Sequence, residues 1–176
     1  MAKKYYLSLL LTNDKKINLC LDESIAPLSV NQFINLVKKN YYDGTIFHRV
    51  IENFMIQTGG YKFTDDGLDS LGEEVPAIKG EFKSNGVENN LKHELGVISM
   101  ARTAVKDSAT SQFFICVNTC PWLDGEYAAF GKTTDEESNK VVLEISKMPT
   151  CRPHPAFSDF PVETIGIKTI ELLKEE

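Results

Sequence analysis

Most apolar residues of this chain fall in short runs of strand length, and helical periodicity interrupts them only twice. That pattern constrains the fold more than any other feature. Lys4–Leu11 and Lys16–Asp22 are apolar-rich and are separated by Thr12, Asn13 and Asp14, whose turn chemistry predicts a β-hairpin. The alternation in INLCL places one face of the second strand in the core. Val30, Phe33, Ile34 and Val37 recur at helical spacing, with Ser29 and Gln32 as a capping-box pattern and Leu28 placed to staple against Phe33. Asn40 is the expected end of that helix. GTIFHRVI and NFMIQTGG read as two strands joined by Glu52 and Asn53. Residues 61–90 are rich in Gly, Asp, Glu and Asn and read as a long loop. Gly96–Arg102, Ser111–Val117 and Tyr127–Thr133 are further strands. A second helix is expected over Asp135–Lys147, with Val141, Ile145 and Met148 on one face and Thr134 with Glu137 as its cap. Residues 148–161 form a proline-punctuated loop, and ETIGIKTIELL closes the chain as a strand. Strands and helices do not alternate, so a parallel sheet is not expected. A mainly β antiparallel barrel or sandwich, its open ends covered by the two helices, is.

The length of 176 residues suits one domain, residues 1–176, with a genuine hydrophobic core. A net charge of -6 argues against nucleic acid as a partner, since phosphate binding needs a basic surface. Cys20, Cys116, Cys120 and Cys151 form no C-x-x-C pair and no zinc-ligand spacing, so buried reduced thiols are expected. The N-terminal apolar run is too short for a signal peptide and no stretch approaches a membrane span. A reducing cytoplasm, with no membrane partner, is the expected setting.

Motifs for hydrolysis or metal chemistry are absent: the chain has no G-x-S-x-G, HExxH or phosphate-binding glycine loop. His48, His93 and His154 are scattered, and Ser108 and Ser111 have no local partner that marks a nucleophile. A Ser-His-Asp triad assembles in space and is not legible in spacing. What stands out is a set of apolar and amide-recognising groups. Met55 and Gln57 share one strand face while Phe54 and Ile56 share the other, so a site using Phe54 with Met55 and Gln57 must lie where the strand twists or ends. Gln112 and Phe114 share a face of SQFFI, and Trp122, Leu123 and Tyr127 stand on a turn. Phe113 is assigned to the core. His48 sits opposite Arg49 by strand alternation and is read as structural. Gly59 and Gly60 are read as the turn that ends the strand.

Taken together, FHRVIENFMIQTGG, ISMAR, SATSQFFI and WLDGEYAAFGK resemble the signature blocks of the cyclophilin family of peptidyl-prolyl cis-trans isomerases. The blocks occur in order over nearly the whole chain, and IKGEFKSNGVENNLKHELGVISMAR resembles bacterial-type single-domain members. The resemblance implies a closed eight-stranded antiparallel β-barrel capped by two α-helices. It implies an isomerase acting on X-Pro bonds of peptides and unfolded proteins, and so a role in protein folding, with no cofactor or metal and a monomeric state. Arg49 matches the catalytic arginine, and Gln57 and Gln112 match the amides that position substrate. Phe54, Met55, Phe114 and Leu123 match the proline pocket wall. Ala101 and Arg102 match the edge that binds substrate backbone, and Trp122 and Tyr127 complete the rim. Arg102 and Tyr127 replace the Asn and His of the commonest eukaryotic pattern, and Gly60 replaces a common Asp. The expected effects are added charge at the rim and an altered sequence preference. Trp122 implies cyclosporin binding. The same groove without catalysis would make a proline-peptide binding module; an intact Arg49 favours the enzyme.

Overall fold

In the computed structural model, which describes residues 2–176, the two N-terminal runs pair as β1 (Lys4–Leu11) and β2 (Lys16–Asp22). Asp14 takes a φ of 66° in the turn between them, a left-handed conformation that its short polar side chain tolerates. Ile17, Leu19 and Leu21 are fully buried, as the alternation requires.

Helix α1 (Pro27–Lys38) starts earlier than the capping-box pattern predicts. Pro27 occupies the first turn, where its missing N–H costs nothing. Ser29 is therefore inside the helix, and Leu28 is exposed instead of stapled. The cap comes from far along the chain. The buried Glu81 carboxylate accepts from Leu28 N (3.0 Å), Ser29 N (2.6 Å) and Ser29 Oγ (2.8 Å). It satisfies orphan N–H groups and faces the positive end of the helix dipole. Asn40, with a φ of 55°, ends the helical path as expected.

The next strands are shorter than their apolar runs. β3 (Arg49–Ile51) and β4 (Met55–Thr58) pair across a turn in which Asn53 has a φ of 67°. Residues 61–90 are not all loop. They hold a hairpin, β5 (Tyr61–Thr64) and β6 (Gly67–Ser70). Its residues are all half-buried or exposed, so no buried face leaves a hydrophobic alternation to read. β7 (Val97–Met100), β8 (Phe113–Cys116) and β9 (Ala129–Thr133) follow. Helix α2 (Glu136–Ser146) is capped by Asp135, which accepts from Ser138 N at 2.7 Å, and not by Thr134 with Glu137. Two-residue strands β10 (Thr150–Cys151) and β11 (Phe160–Pro161) pair within the proline-rich segment, and β12 (Ile167–Glu175) ends the chain.

Eight strands form one antiparallel sheet in the order β12-β1-β2-β9-β7-β8-β4-β3. The expected closed barrel is corrected: β12 and β3 share no ladder, and the sheet is an open half-barrel. The outer edge of β3 is already used, since Val50 N donates to Asp159 O (3.0 Å), which covers an edge that would otherwise be unpaired. The gap is spanned beside the edge strands, where Phe47 N donates to Ile165 O (2.9 Å) and Ile167 N to Thr45 O (2.8 Å).

Both helices feed one core. Phe33 of α1 packs edge-on against Phe113 at 5.1 Å and lies 5.6 Å from Phe130, while Val142 and Ile145 of α2 join the same cluster. A second, smaller apolar cluster forms around Met55, Phe114, Cys116, Cys120 and Leu123. It arises because β4 and β8 alternate: Ile56, Phe113 and Ile115 enter the main core, and their neighbours face the other way. All four cysteines are free. Cys116 and Cys120 are buried as expected, but Cys20 is half-buried and Cys151 is exposed. No helix among the described residues is long and apolar enough to cross a membrane.

Removing the Glu81 carboxylate leaves buried helix N–H groups without partners. Glu81→Ala is expected to destabilise the fold by about 1–3 kcal/mol, and Glu81→Gln, which keeps an acceptor, by less. Urea unfolding midpoints of the two variants check this.

His48 is buried against Tyr61, with ring centroids 4.7 Å apart. Burial, reinforced by the Arg49 charge, lowers its pKa to about 4. The unfolded chain, with an ordinary histidine, binds more protons between about pH 6.5 and 4. Stability is therefore present in full above the unfolded pKa and falls through this window, by about 3 kcal/mol for this group alone. His48→Phe is expected to flatten the pH dependence of the urea midpoint between pH 7 and 4.5.

Candidate active site

The second apolar cluster is the floor of a cavity of about 140 Å³. Strand register places its polar wall. Arg49 opposes Gln57, Gln57 opposes Phe114, and Phe114 opposes Ser99, so four side chains from four adjacent strands lie in one row across one face of the sheet. Met55 lies two residues from Gln57 on that face. Phe54 joins them because it stands in the turn before β4 begins, where strand alternation does not apply. That meets the condition set by the sequence.

The two polar side chains at the outer end of the row are hydrogen-bonded, and the bonds run on to Gln112, two residues before Phe114. Arg49 Nη1 donates to Gln57 Oε1 (3.3 Å), and Gln57 Nε2 donates to Gln112 Oε1 (2.9 Å). Gln57 is thereby oriented from both sides, by Arg49 and by Gln112. Gly60 makes this possible. A Cβ there would lie 2.4 Å from Gln112 Cδ, so the missing side chain is the seat of the Gln112 amide. Gly59, with a φ of 91°, supplies the turn. The two glycines thus have different tasks, one conformational and one steric.

Nine of the eleven sequence-predicted residues line the cavity. Arg49 and Gln57 form its polar side, and Phe54, Met55, Phe114 and Leu123 its apolar side. Ala101, Arg102 and Tyr127 close it. Gln112 lines an adjoining depression of about 150 Å³ that shares Gln57, Ala101 and Arg102 with the first. Trp122 lies outside the cavity. It is 60% exposed, with its ring 5.7 Å from that of Phe54. Arg102 does not project its charge from the rim as expected. Its guanidinium is folded back onto the Glu126 and Thr103 carbonyls, and its side chain is only 11% exposed. Phe113 is in the core and His48 lies away from the cavity, both as expected.

One arrangement escaped the sequence. Asp124 Oδ1 lies 3.0 Å from His93 Nδ1, and His93 Nε2 lies 2.9 Å from Ser99 Oγ. This is the connectivity of a Ser-His-Asp triad, assembled from three separate segments that carry no shared motif. It does not act as one. Ser99 is 0% exposed and His93 1%, so no nucleophile is reachable. Burial lowers the His93 pKa despite the opposing pull of Asp124. The imidazole stacks at 17° beneath Phe114 and serves as packing for the cavity floor. Among the described residues no group of three or more His, Cys, Asp or Glu side chains could hold a metal ion.

An arginine donor and two linked amides set beside an apolar pocket can hold a ligand that pairs an apolar ring with an amide. Comparison with known proteins gives the family. The family model described as cyclophilin type peptidyl-prolyl cis-trans isomerase matches residues 7–172. The chain is 40% identical over 172 residues to peptidyl-prolyl cis-trans isomerase A of Dickeya dadantii, covering 95% of this chain and 84% of that protein. It is 40% identical over 164 residues to a peptidyl-prolyl cis-trans isomerase of Acinetobacter baylyi, covering 89% and 81%. A cyclophilin type peptidyl-prolyl cis-trans isomerase of Cryptosporidium parvum superposes with a TM-score of 0.75 at 26% identity, covering 97% of this chain and 98% of that one. The same Cryptosporidium protein crystallised in the presence of the dipeptide Ala-Pro gives a TM-score of 0.74, covering 96% and 99%. The half-barrel, its outer groove and these relatives together place the chain in the cyclophilin family of peptidyl-prolyl cis-trans isomerases.

Proposed function

We propose that this chain accelerates rotation about X-Pro bonds in peptides and unfolded proteins, and so assists folding, with Arg49 stabilising the twisted imide. Resonance sets the uncatalysed barrier at about 18–20 kcal/mol. A rate gain of about 10⁵ asks for roughly 7 kcal/mol of preferential binding to the twisted state. In that state the prolyl nitrogen becomes pyramidal and presents a lone pair. A guanidinium N–H aimed at it favours the unconjugated form.

The observation that carries this reading is the Arg49–Gln57–Gln112 chain over the Phe54, Met55, Phe114 and Leu123 wall. The apolar wall holds the proline ring still while the preceding carbonyl rotates. Gln57 accepts from the guanidinium and so restrains its orientation, and the Arg49 guanidinium carbon lies 5.9 Å from the Phe54 ring centre. Gln112 extends the polar side toward the preceding residues of the peptide. The solved relative crystallised in the presence of Ala-Pro supports a proline-containing ligand for this chain. The exposed Trp122 ring beside Phe54 supports a further reading, contact with a larger apolar ligand such as cyclosporin.

Arg49→Ala is expected to lower kcat/KM for an Ala-Pro peptide by about 10²–10³-fold, the usual loss for one transition-state donor. Its melting temperature should stay near that of the parent, because Arg49 is an exposed strand residue. A protease-coupled proline-exchange assay measures it. Unchanged turnover in the variant would sink the mechanism, and peptide binding without rate enhancement in the parent would leave only a binding module.

A further inference from the structure

The Arg102 side chain joins three segments. Its Nε and Nη2 donate to Glu126 O (3.1 and 2.7 Å), and Nη1 donates to Thr103 O (2.9 Å). The guanidinium carbon lies 4.8 Å from the centre of the Phe82 ring and 4.5 Å from that of Tyr127. With the in-plane donors committed to carbonyls, the flat faces of the group are what the rings can take. Phe82 is buried in the main core, so the stack is anchored there. Tyr127 in turn meets Phe114 edge-on, with ring centres 5.8 Å apart and planes at 84°. The order of contact is therefore core phenylalanine, guanidinium, tyrosine, pocket floor. Arg102 also stands on the boundary between the proline-sized cavity and the adjoining depression.

We infer that Arg102 is a positioning residue: stacked on Phe82 and tied to the Glu126 and Thr103 carbonyls, it sets the Tyr127 ring as the wall of the cavity. The inference rests on the isomerase reading of that cavity. The charge of Arg102 is spent inside the protein, on two carbonyls, two rings and the Glu126 carboxylate 4.0 Å away. A peptide meets a shaped and nearly neutral wall there, so residues flanking the proline are not selected by charge at this point. The requirement is for a planar fork. A lysine carries the same charge but has no planar face to lie between rings and cannot bond two carbonyl groups in one plane.

The test compares Arg102→Ala, Arg102→Lys, Tyr127→Ala and the double variant Arg102→Ala/Tyr127→Ala with the parent protein. Each is assayed on neutral and acidic Ala-Pro peptides at low and high salt, and the Kd of the same peptides is measured by titration. Arg102→Ala is expected to raise KM and Kd by about five- to tenfold with kcat changed by no more than about twofold. Arg102→Lys should show the same penalty, equal for both peptides and unaltered by salt. The double variant should be no worse than Tyr127→Ala, because both changes remove one contact. A near-UV circular dichroism change at the tyrosine band should accompany both single changes at position 102.

Full rescue by lysine, a penalty confined to acidic peptides or abolished by salt, or additive effects in the double variant would each overturn the inference. If Arg102→Ala does not fold, Arg102→Lys keeps the stem and the charge and decides the matter alone. A parent protein without turnover would defeat the isomerase reading, while the Kd values would still decide the role of Arg102.

Discussion

The alternation of β8 carries the rest of the molecule. Phe113 points into the main core, where Phe33 and Tyr42 pack edge-on against it, and Phe114 points to the opposite face, where it becomes the cavity floor. Two adjacent phenylalanines thus bind the fold and the site to a single register. A slip of one residue would exchange them and invert every side chain of the strand. The helix that buries Phe33 is therefore part of the site's foundation, although it contributes nothing to the cavity's lining. His93 completes the support from behind by stacking under Phe114 and bonding Ser99 in the neighbouring strand.

On that foundation the groove divides into two kinds of wall. One is a hydrogen-bonded row, Arg49, Gln57 and Gln112, whose side chains bond one another along the polar side of the cavity. The other is a stacked row, Phe82, Arg102, Tyr127 and Phe114, whose polar atoms point inward. Each row contains one arginine, and the two are used in opposite ways. Arg49 is exposed and lines the cavity with its guanidinium bonded to Gln57. Arg102 is tied to backbone carbonyls and acts through its planar shape. His48, next to Arg49 in sequence, is buried on the other side of the strand and kept neutral by that burial. Proximity in sequence to a cavity-lining arginine therefore does not bring His48 into the cavity.

Long-range partners account for most differences between expectation and structure. The Ser29–Gln32 pattern looks like a helix start, yet the helix begins at Pro27 because Glu81 supplies a stronger acceptor. The half-barrel does not close as a ladder because Asp159, from a proline-rich segment, takes a hydrogen bond from the edge of β3. The β5–β6 hairpin is held by backbone pairing with no buried face, so it leaves no periodicity to detect. In all three cases the deciding contact joins positions far apart or uses groups common to every residue.

Local pattern determined a good deal. Alternation gave the faces of β2 and β8, helical spacing gave the buried sides of both helices, and the ordered signature blocks identified the residues that line the cavity. Such properties depend on neighbours along the chain, which spacing records. Only the tertiary structure decided how those residues are connected. The Arg49–Gln57–Gln112 chain depends on cross-strand register, and the seating of Gln112 depends on the empty space at Gly60. The buried Asp124–His93–Ser99 arrangement and the retraction of Arg102 between Phe82 and Tyr127 depend on segments that meet only after folding. A side chain's type is written in the sequence, but the direction in which it spends its hydrogen bonds and charge is set by what folding places beside it.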